Sequence, residues 1–370
     1  MSAQRRVRHD GRMTAARPRI EWMDVIKATA VIVIVLSHAV DLTAPVAGGQ
    51  PAQTFWQVVM TIVEPMRMPL FFMISGMLAA SALNRPWNKV RRCTWGMVYL
   101  YVLWSAIFFA VVACYVRAPV GEQLLTYLKL ILVAGNGYWY LYALVIYFCL
   151  VKVTQRWPIW ILFSIAIVLS LLKEPILTLN REHLLGPGSG SMFVKVLINL
   201  VFYLIGIHFK AIIERIAAMA TWPRIIGITG ILVLIGLWRY NTPWSWEQSF
   251  LPASLLYIVL AVMLASTLVV FPKVRAYGIG IGRETLPIFV VQFPFMLILQ
   301  QVFKNQYSIY DNQWFLAIFP IAFTAFDVVF ALWLFRITKN NFGRYLFEVP
   351  HWVARDERSK PQVKDSDVSK

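Results

Sequence analysis

Charge is scarce in this sequence. Asp, Glu, Lys and Arg make up 14% of its 370 residues, against about 25% in an ordinary soluble domain. That shortfall excludes a water-soluble globule of usual composition. Acidic residues are the scarcer sign, 18 against 35 basic. Cysteine occurs three times, as Cys93, Cys114 and Cys149, with neither metal-ligand spacing nor a pairing pattern. All three read as packing residues, and no metal site is implied. Period-2 alternation is missing from the apolar stretches, which argues against a membrane β-barrel. A cleavable leader is not evident either. The first ~20 residues are basic and polar, and the first apolar run is long enough to span, so it is expected to be an uncleaved anchor.

Hydrophobicity fills the gap: 59% of the residues are hydrophobic and mean hydropathy is +0.63. Apolar runs recur at 22–43, 57–83, 93–116, 138–153, 158–172, 192–213, 223–238, 250–271, 284–303 and 314–336. Each is near the ~20 residues a helix needs to cross the hydrocarbon core. The expected fold is therefore all-α: a polytopic integral membrane bundle of about ten transmembrane helices. The expected organisation is a basic cytoplasmic tail at 1–20, a membrane domain at 21–337, and a charged cytoplasmic tail at 338–370, disordered after about Phe347. A shorter apolar piece, 124–134, is expected to be interfacial or re-entrant. The loop 173–191, with Gly186-Pro187-Gly188-Ser189-Gly190-Ser191, is turn-rich and expected to be mobile.

The formal charge of +17 raises the question of nucleic acid. Its placement argues for a membrane instead. With the N-terminus inside, the inner segments are the N-tail, 84–92, 152–157, 210–224, 272–283 and the C-tail counted from Arg336. They hold 26 of the 35 Lys and Arg, the outer segments hold seven, and Lys27 and Arg67 fall inside spans. That is the asymmetry of the positive-inside rule, with both termini cytoplasmic.

Ionisable groups inside a bilayer are costly, so each one needs a reason. The first helix carries Asp24, Lys27, His38 and Asp41. Lys27 and His38 are eleven residues apart, which places them on one helical face about 16 Å from each other. Asp24 and Asp41 extend that stripe. His38 can take a proton near neutral pH, and Asp41 one turn on can orient or stabilise its imidazole. The bland alternative is a polar seam between helices, with Lys27 snorkelling to the inner surface. The second helix carries Glu64 and Arg67 at i, i+3, able to pair with each other or to serve the histidine. Pro65 and Pro69 imply a bend or a broken helix there. Ser75 and Gly76 suit close helix packing better than nucleophilic catalysis. The inner loop Arg85-Pro-Trp-Asn-Lys89-Val-Arg91-Arg92 can hold a phosphorylated donor, or serve only as topology signal and anionic-lipid contact. The run Gly137-Tyr-Trp139-Tyr-Leu141-Tyr142 reads as an interfacial belt or as a stacking surface for sugar or acyl groups.

In order and spacing these residues resemble the acyltransferase 3 family of bacterial membrane acyltransferases. The resemblance rests on a basic residue, ten intervening residues and a histidine (Lys27 to His38), and on a PLFF-x-x-SG stretch (Pro69 to Gly76). A basic loop, a WYLYAL stretch (Trp139 to Leu144) and Gly282-Arg283-Glu284-Thr285 opening a late helix complete it. The form Arg67-Met-Pro-Leu-Phe-Phe is similar to the branch containing fucose acetylase-like proteins. The resemblance implies transfer of an acyl group, usually acetyl from acetyl-CoA, to a hydroxyl of a glycan or other envelope molecule. It implies His38 as catalytic histidine and Lys27 as its basic partner. Asp41 or Glu64 would assist, and donor contacts would fall on Lys27, Arg67, Lys89, Arg91 and Arg92. The implied partners are acyl-CoA, a carbohydrate or other envelope acceptor, and the bilayer, and not nucleic acid. Two departures stand out. The basic loop lacks the family's RR-x-x-R form, and Gln292 occupies a position where many members carry histidine. On this reading the pantetheine arm of the donor runs along the first-helix stripe, which requires an open path from the inner surface to His38. The rival class is a transporter or flippase, which also places charges at mid-membrane.

Overall fold

A computed structural model describes residues 20–353 except 92, 116–118, 180–188, 241–249, 304–306 and 351. Several expectations therefore lie outside the described residues: both distal tails, Arg92, and the Gly186–Gly188 part of the turn-rich loop. All regular structure among the described residues is helical. The order is α1 (Glu21–Ala47), α2 (Pro51–Leu83), α3 (Trp95–Tyr115), α4 (Val120–Leu132) and α5 (Trp139–Val153). Then come α6 (Ile159–Leu171), α7 (Lys173–Leu179), α8 (Ser189–His208), α9 (Lys210–Ala218) and α10 (Trp222–Tyr240). The chain closes with α11 (Phe250–Leu268), α12 (Pro272–Arg283), α13 (Thr285–Phe303), α14 (Tyr307–Tyr310) and α15 (Gln313–Thr338). The face of the bundle where α1 begins is called the near side below, and the face where it ends the far side.

All ten expected spans fall on helices. Six of these helices, α1, α2, α3, α11, α13 and α15, are long and apolar enough to cross a membrane. The pair α8 and α9, bent by 76°, makes a seventh if it is one span. The expected spans at 138–153 and 158–172 fall on shorter helices, and that at 223–238 on the short apolar stretch Trp222–Trp238 of α10; α6, with 13 residues, is about 20 Å long, against ~30 Å of hydrocarbon. The apolar piece near 124–134 forms the amphipathic α4. Three local expectations change. Pro65 and Pro69 lie inside α2 without ending it, and Pro51 opens that helix six residues before the expected start. The connection 272–283 is itself a helix, opened by Pro272. The segment after α15 is packed up to Phe347. Trp104 donates its indole N–H to the Leu346 carbonyl at 2.7 Å, Tyr99 donates to the Tyr345 carbonyl at 2.9 Å, and Phe347 is buried against Trp104 and Phe335. The ordered unit thus runs past the expected boundary at 337. Two aromatic rings and two N–H or O–H donors explain why.

Two apolar cores share the bundle. One joins α2, α5, α8 and α11, and the other joins α1, α3, α13 and α15. Close backbone approaches are made at glycine. A Cβ on Gly206 of α8 would collide with the Met73 carbonyl of α2, and one on Gly76 of α2 would collide with the Tyr203 carbonyl of α8. Small residues at such crossings let backbones meet, which is the main source of helix affinity in a bilayer. Near the other end of α1, Gly278 and Gly282 of α12 sit against Val25 and the backbone of Asp24.

Gly206→Ala is expected to destabilise the folded protein by about 1–3 kcal/mol or more, since the added methyl meets backbone rather than a yielding side chain. Gly227→Ala on α10 meets open space and should be neutral or slightly stabilising. Thermal unfolding midpoints of the two variants in detergent check the contrast.

Candidate functional site

The polar stripe of α1 divides in two. At its near end Lys27 is bound to Asp24 at 2.8 Å, with Asp24 buried. Arg275 of α12 binds Glu21 at 2.5 Å beside them, and Gly282 lets α12 lie against this turn. At the far end His38 opens into a cavity of about 140 Å³. Between the two, Val31 and Ile34 occupy the same face and are buried at 0% and 4% exposure. Ile34 is the deepest α1 residue lining the cavity. The expected open path along the stripe is therefore filled by two β-branched side chains over about 10 Å.

The cavity joins side chains from six helices. His38 and Asp41 come from α1, Glu64 and Arg67 from α2, Trp139 from α5, Lys173 from α7, Lys195 and Asn199 from α8, and Phe250 from α11. His38 Nδ1 lies 4.0 Å from Asp41 Oδ2, beyond hydrogen-bond length, so the pair is electrostatic and forms only when the ring is protonated. His38 is one-third exposed and Asp41 is 71% exposed, so the imidazole sits inside the mouth and the carboxylate at its rim. Phe293 of α13 touches the imidazole edge-on at 5.1 Å and is itself held by Tyr138 and Phe289. Of the two readings open for Glu64 and Arg67, the i, i+3 ion pair does not form within 4.0 Å. Asn199 is buried, and its amide N–H donates to the Lys195 carbonyl at 2.8 Å while its Oδ1 has no hydrogen-bond partner among the described residues.

Two stretches read separately in the sequence turn out to be one packed unit. Ser75 Oγ and Tyr140 Oη share a hydrogen bond of 2.6 Å, and Phe72 packs on Trp139, Tyr140 and Tyr147. Tyr138 and Trp139 are thus buried core residues, Tyr140 packs half-buried beside them, and Trp139 also lines the cavity. Gly137 is needed because a Cβ there would meet the Phe293 ring. Gln292 is fully buried, donates to the Phe289 carbonyl at 3.0 Å and leaves its Oε1 without a partner among the described residues. It does not line the cavity, although its neighbour Phe293 touches His38.

The basic loop lies elsewhere. Lys152 donates to the Leu83 and Arg85 carbonyls at 2.6 Å each and sits over the Trp87 ring, pinning the loop to α5. Lys89 and Arg91 are exposed on the near side. A second cavity of about 620 Å³ lies there, with Asn84, Gln155, Arg156 and His208 among its walls. Along α2 it begins at Ala80, about 20 Å from Arg67.

A family model described as an acyltransferase domain matches residues 20–334. The chain belongs to this acyltransferase family. It is also similar to the inner membrane protein YcfT of Escherichia coli strain K12, 22% identical over 364 residues, covering 89% of this chain and 96% of that protein. No solved structure matches. The acyltransferase is an integral membrane enzyme, and its matched region includes every cavity residue named above.

Of the residues singled out in the sequence, His38, Asp41, Glu64 and Arg67 meet in one cavity. Lys27, Lys89 and Arg91 do not reach it. The sequence reading passed over Lys195, Asn199, Lys173, Phe250 and Phe293. Lys195 and Asn199 had a signal: a cation and an amide at i, i+4 inside the apolar run that starts at Met192. Counting Lys195 as a loop-edge charge hid it. Gly137→Ala should displace Phe293 and, through it, His38, lowering both the unfolding midpoint and acyl transfer. Gly137→Ala with Phe293→Leu should recover the midpoint if the clash is the cause, and a thermal melt of the double variant decides.

Proposed function

We propose that this inner-membrane protein is an O-acyltransferase moving an acyl group, acetyl by family resemblance, from acyl-CoA to a hydroxyl of an envelope glycan or related molecule. The supporting observation is the meeting of His38, Asp41, Glu64, Arg67 and Trp139 in one solvent-reaching cavity of an acyltransferase-family chain. The location accords with the apolar helices and with the inner-membrane relative. The reading includes ten spans, both termini cytoplasmic and a place in the fucose acetylase-like branch.

With the near side cytoplasmic, donor phosphates engage Lys89 and Arg91, and Arg92 next to them in sequence, on the side where the 620 Å³ cavity opens. The acceptor enters from the far side. His38 takes the proton from the acceptor hydroxyl as its oxygen attacks the thioester carbonyl. The carbon–sulfur bond breaks, the new ester forms, and the thiol of CoA leaves with a proton. Asp41 stabilises the imidazolium across its 4.0 Å gap. A relay through acyl-histidine would use the same residues. The packed layer at Val31 and Ile34 has to part for the thioester to reach His38, a gating step of the kind many enzymes couple to substrate binding. Lys27 flanks the near end of that route.

His38→Ala should reduce acyl transfer by about 100-fold or more, the low end of what a general base supplies, with an unchanged unfolding midpoint. Mass spectrometry of envelope glycans and lipids, with wild-type or variant protein, reads the acyl-sized mass difference. Persistence of the acyl group alongside loss of export of a solute would favour a transporter instead.

A further inference from the structure

Arg67, Lys173 and Lys195 reach the His38 cavity from three different helices. Among the described residues, neither the Arg67 nor the Lys195 side chain makes a hydrogen bond or an ion pair within 4.0 Å. Lys173 rests over the Phe250 ring at 5.3 Å, a contact that leaves its ammonium donors free for an anion. The two carboxylates of the cavity, Asp41 and Glu64, are outnumbered by the three cations, so the site is net positive with His38 neutral. Asn199 adds the buried Oδ1 that has no hydrogen-bond partner among the described residues.

Arg67 and Lys173 are half-buried and Lys195 is exposed, so an anion can reach all three, and it would offset the mutual repulsion of like charges gathered at one cavity. A guanidinium and two ammonium groups around one small space are suited to a phosphate or carboxylate, which accepts several charge-assisted hydrogen bonds at once. We infer that the acceptor is an anionic molecule, whose phosphate or carboxylate is held by Arg67, Lys195 and Lys173 while its hydroxyl faces His38. This rests on the acyltransferase reading for the role of the hydroxyl, but the anion site itself does not. Asn199 Oδ1 then accepts from a hydroxyl or N–H of the same molecule. Trp139 and Phe250 supply apolar walls on either side.

The test is binding rather than turnover, so it stands apart from the proposed reaction. Full-length protein in lipid nanodiscs is titrated with glucose 1-phosphate, glucuronate and glucose, and the unfolding midpoint is followed. Either or both anions should raise it, which also tells phosphate from carboxylate, and glucose should not. The double variant Arg67→Gln/Lys195→Gln should weaken anion binding by about tenfold or more, whereas Gly227→Ala, whose added methyl meets open space on α10, should bind as the wild type does. Where loss of Arg67 prevents folding, Lys173→Gln/Lys195→Gln gives the same reading from the other two helices. The inference is overturned if glucose stabilises as well as the anions do, if neither anion stabilises, or if the effect survives loss of the cavity cations. It is also overturned if the anion effect disappears in Lys89→Gln/Arg91→Gln. Stabilisation by coenzyme A that is lost in Arg67→Gln/Lys195→Gln but kept in Lys89→Gln/Arg91→Gln would assign the cations to the donor and overturn it too.

Discussion

The site depends on how closely α2 and α8 approach. Gly76 and Gly206 remove the two Cβ atoms that would hold these helices apart. The helices run in the same direction through that crossing, since Glu64 and Arg67 share one cavity with Lys195 and Asn199, while Ala80 and Leu83 share another with Leu204 and His208. Glu64 and Lys195 stand about ten or eleven residues before the crossing, so both lie roughly 15 Å above it. One contact between small residues therefore fixes the depth at which charges from two helices meet. In a bilayer this matters more than in water, because lipid offers no competing hydrophobic drive to hold the helices together.

The same principle explains motifs that carry no obvious chemistry. The Pro69–Gly76 stretch and the aromatic stretch after Gly137 are two sides of one interface, joined by Ser75 and Tyr140. Gly282 belongs to the near end of α1, where it admits α12 against Asp24. Phe293, pressed by Gly137 from one side, supports the His38 ring from the other. These residues hold α1 and its histidine in place and leave the cavity wall to a handful of polar side chains.

Two spaces on opposite faces imply a moving part. The near-side cavity is roomy and flanked by the basic loop, and the far-side cavity is small and holds the histidine. The layer between them includes Val31 and Ile34, both buried. Val31 and Ile34 fill that face of α1, so a group passing along it between the two spaces needs these side chains to move. β-Branched side chains with little rotamer freedom make a firm plug that yields as a unit.

What could be read from the chain alone followed from local physics. Apolar run length located every membrane helix candidate, and 3.6-residue periodicity placed Lys27 and His38 on one face of α1. Motif order pointed to the acyltransferase family, which the match over residues 20–334 bears out. Helix periodicity says which residues share a face but not what lies against that face. Tertiary packing decided that Lys27 would be spent on Asp24, that Val31 and Ile34 would close the stripe, and that Glu64 and Arg67 would not pair within 4.0 Å. It also decided that Lys195 and Asn199, far away in sequence, would complete the cavity. Those outcomes come from where glycines let backbones touch, a property of pairs of helices that no single helix contains.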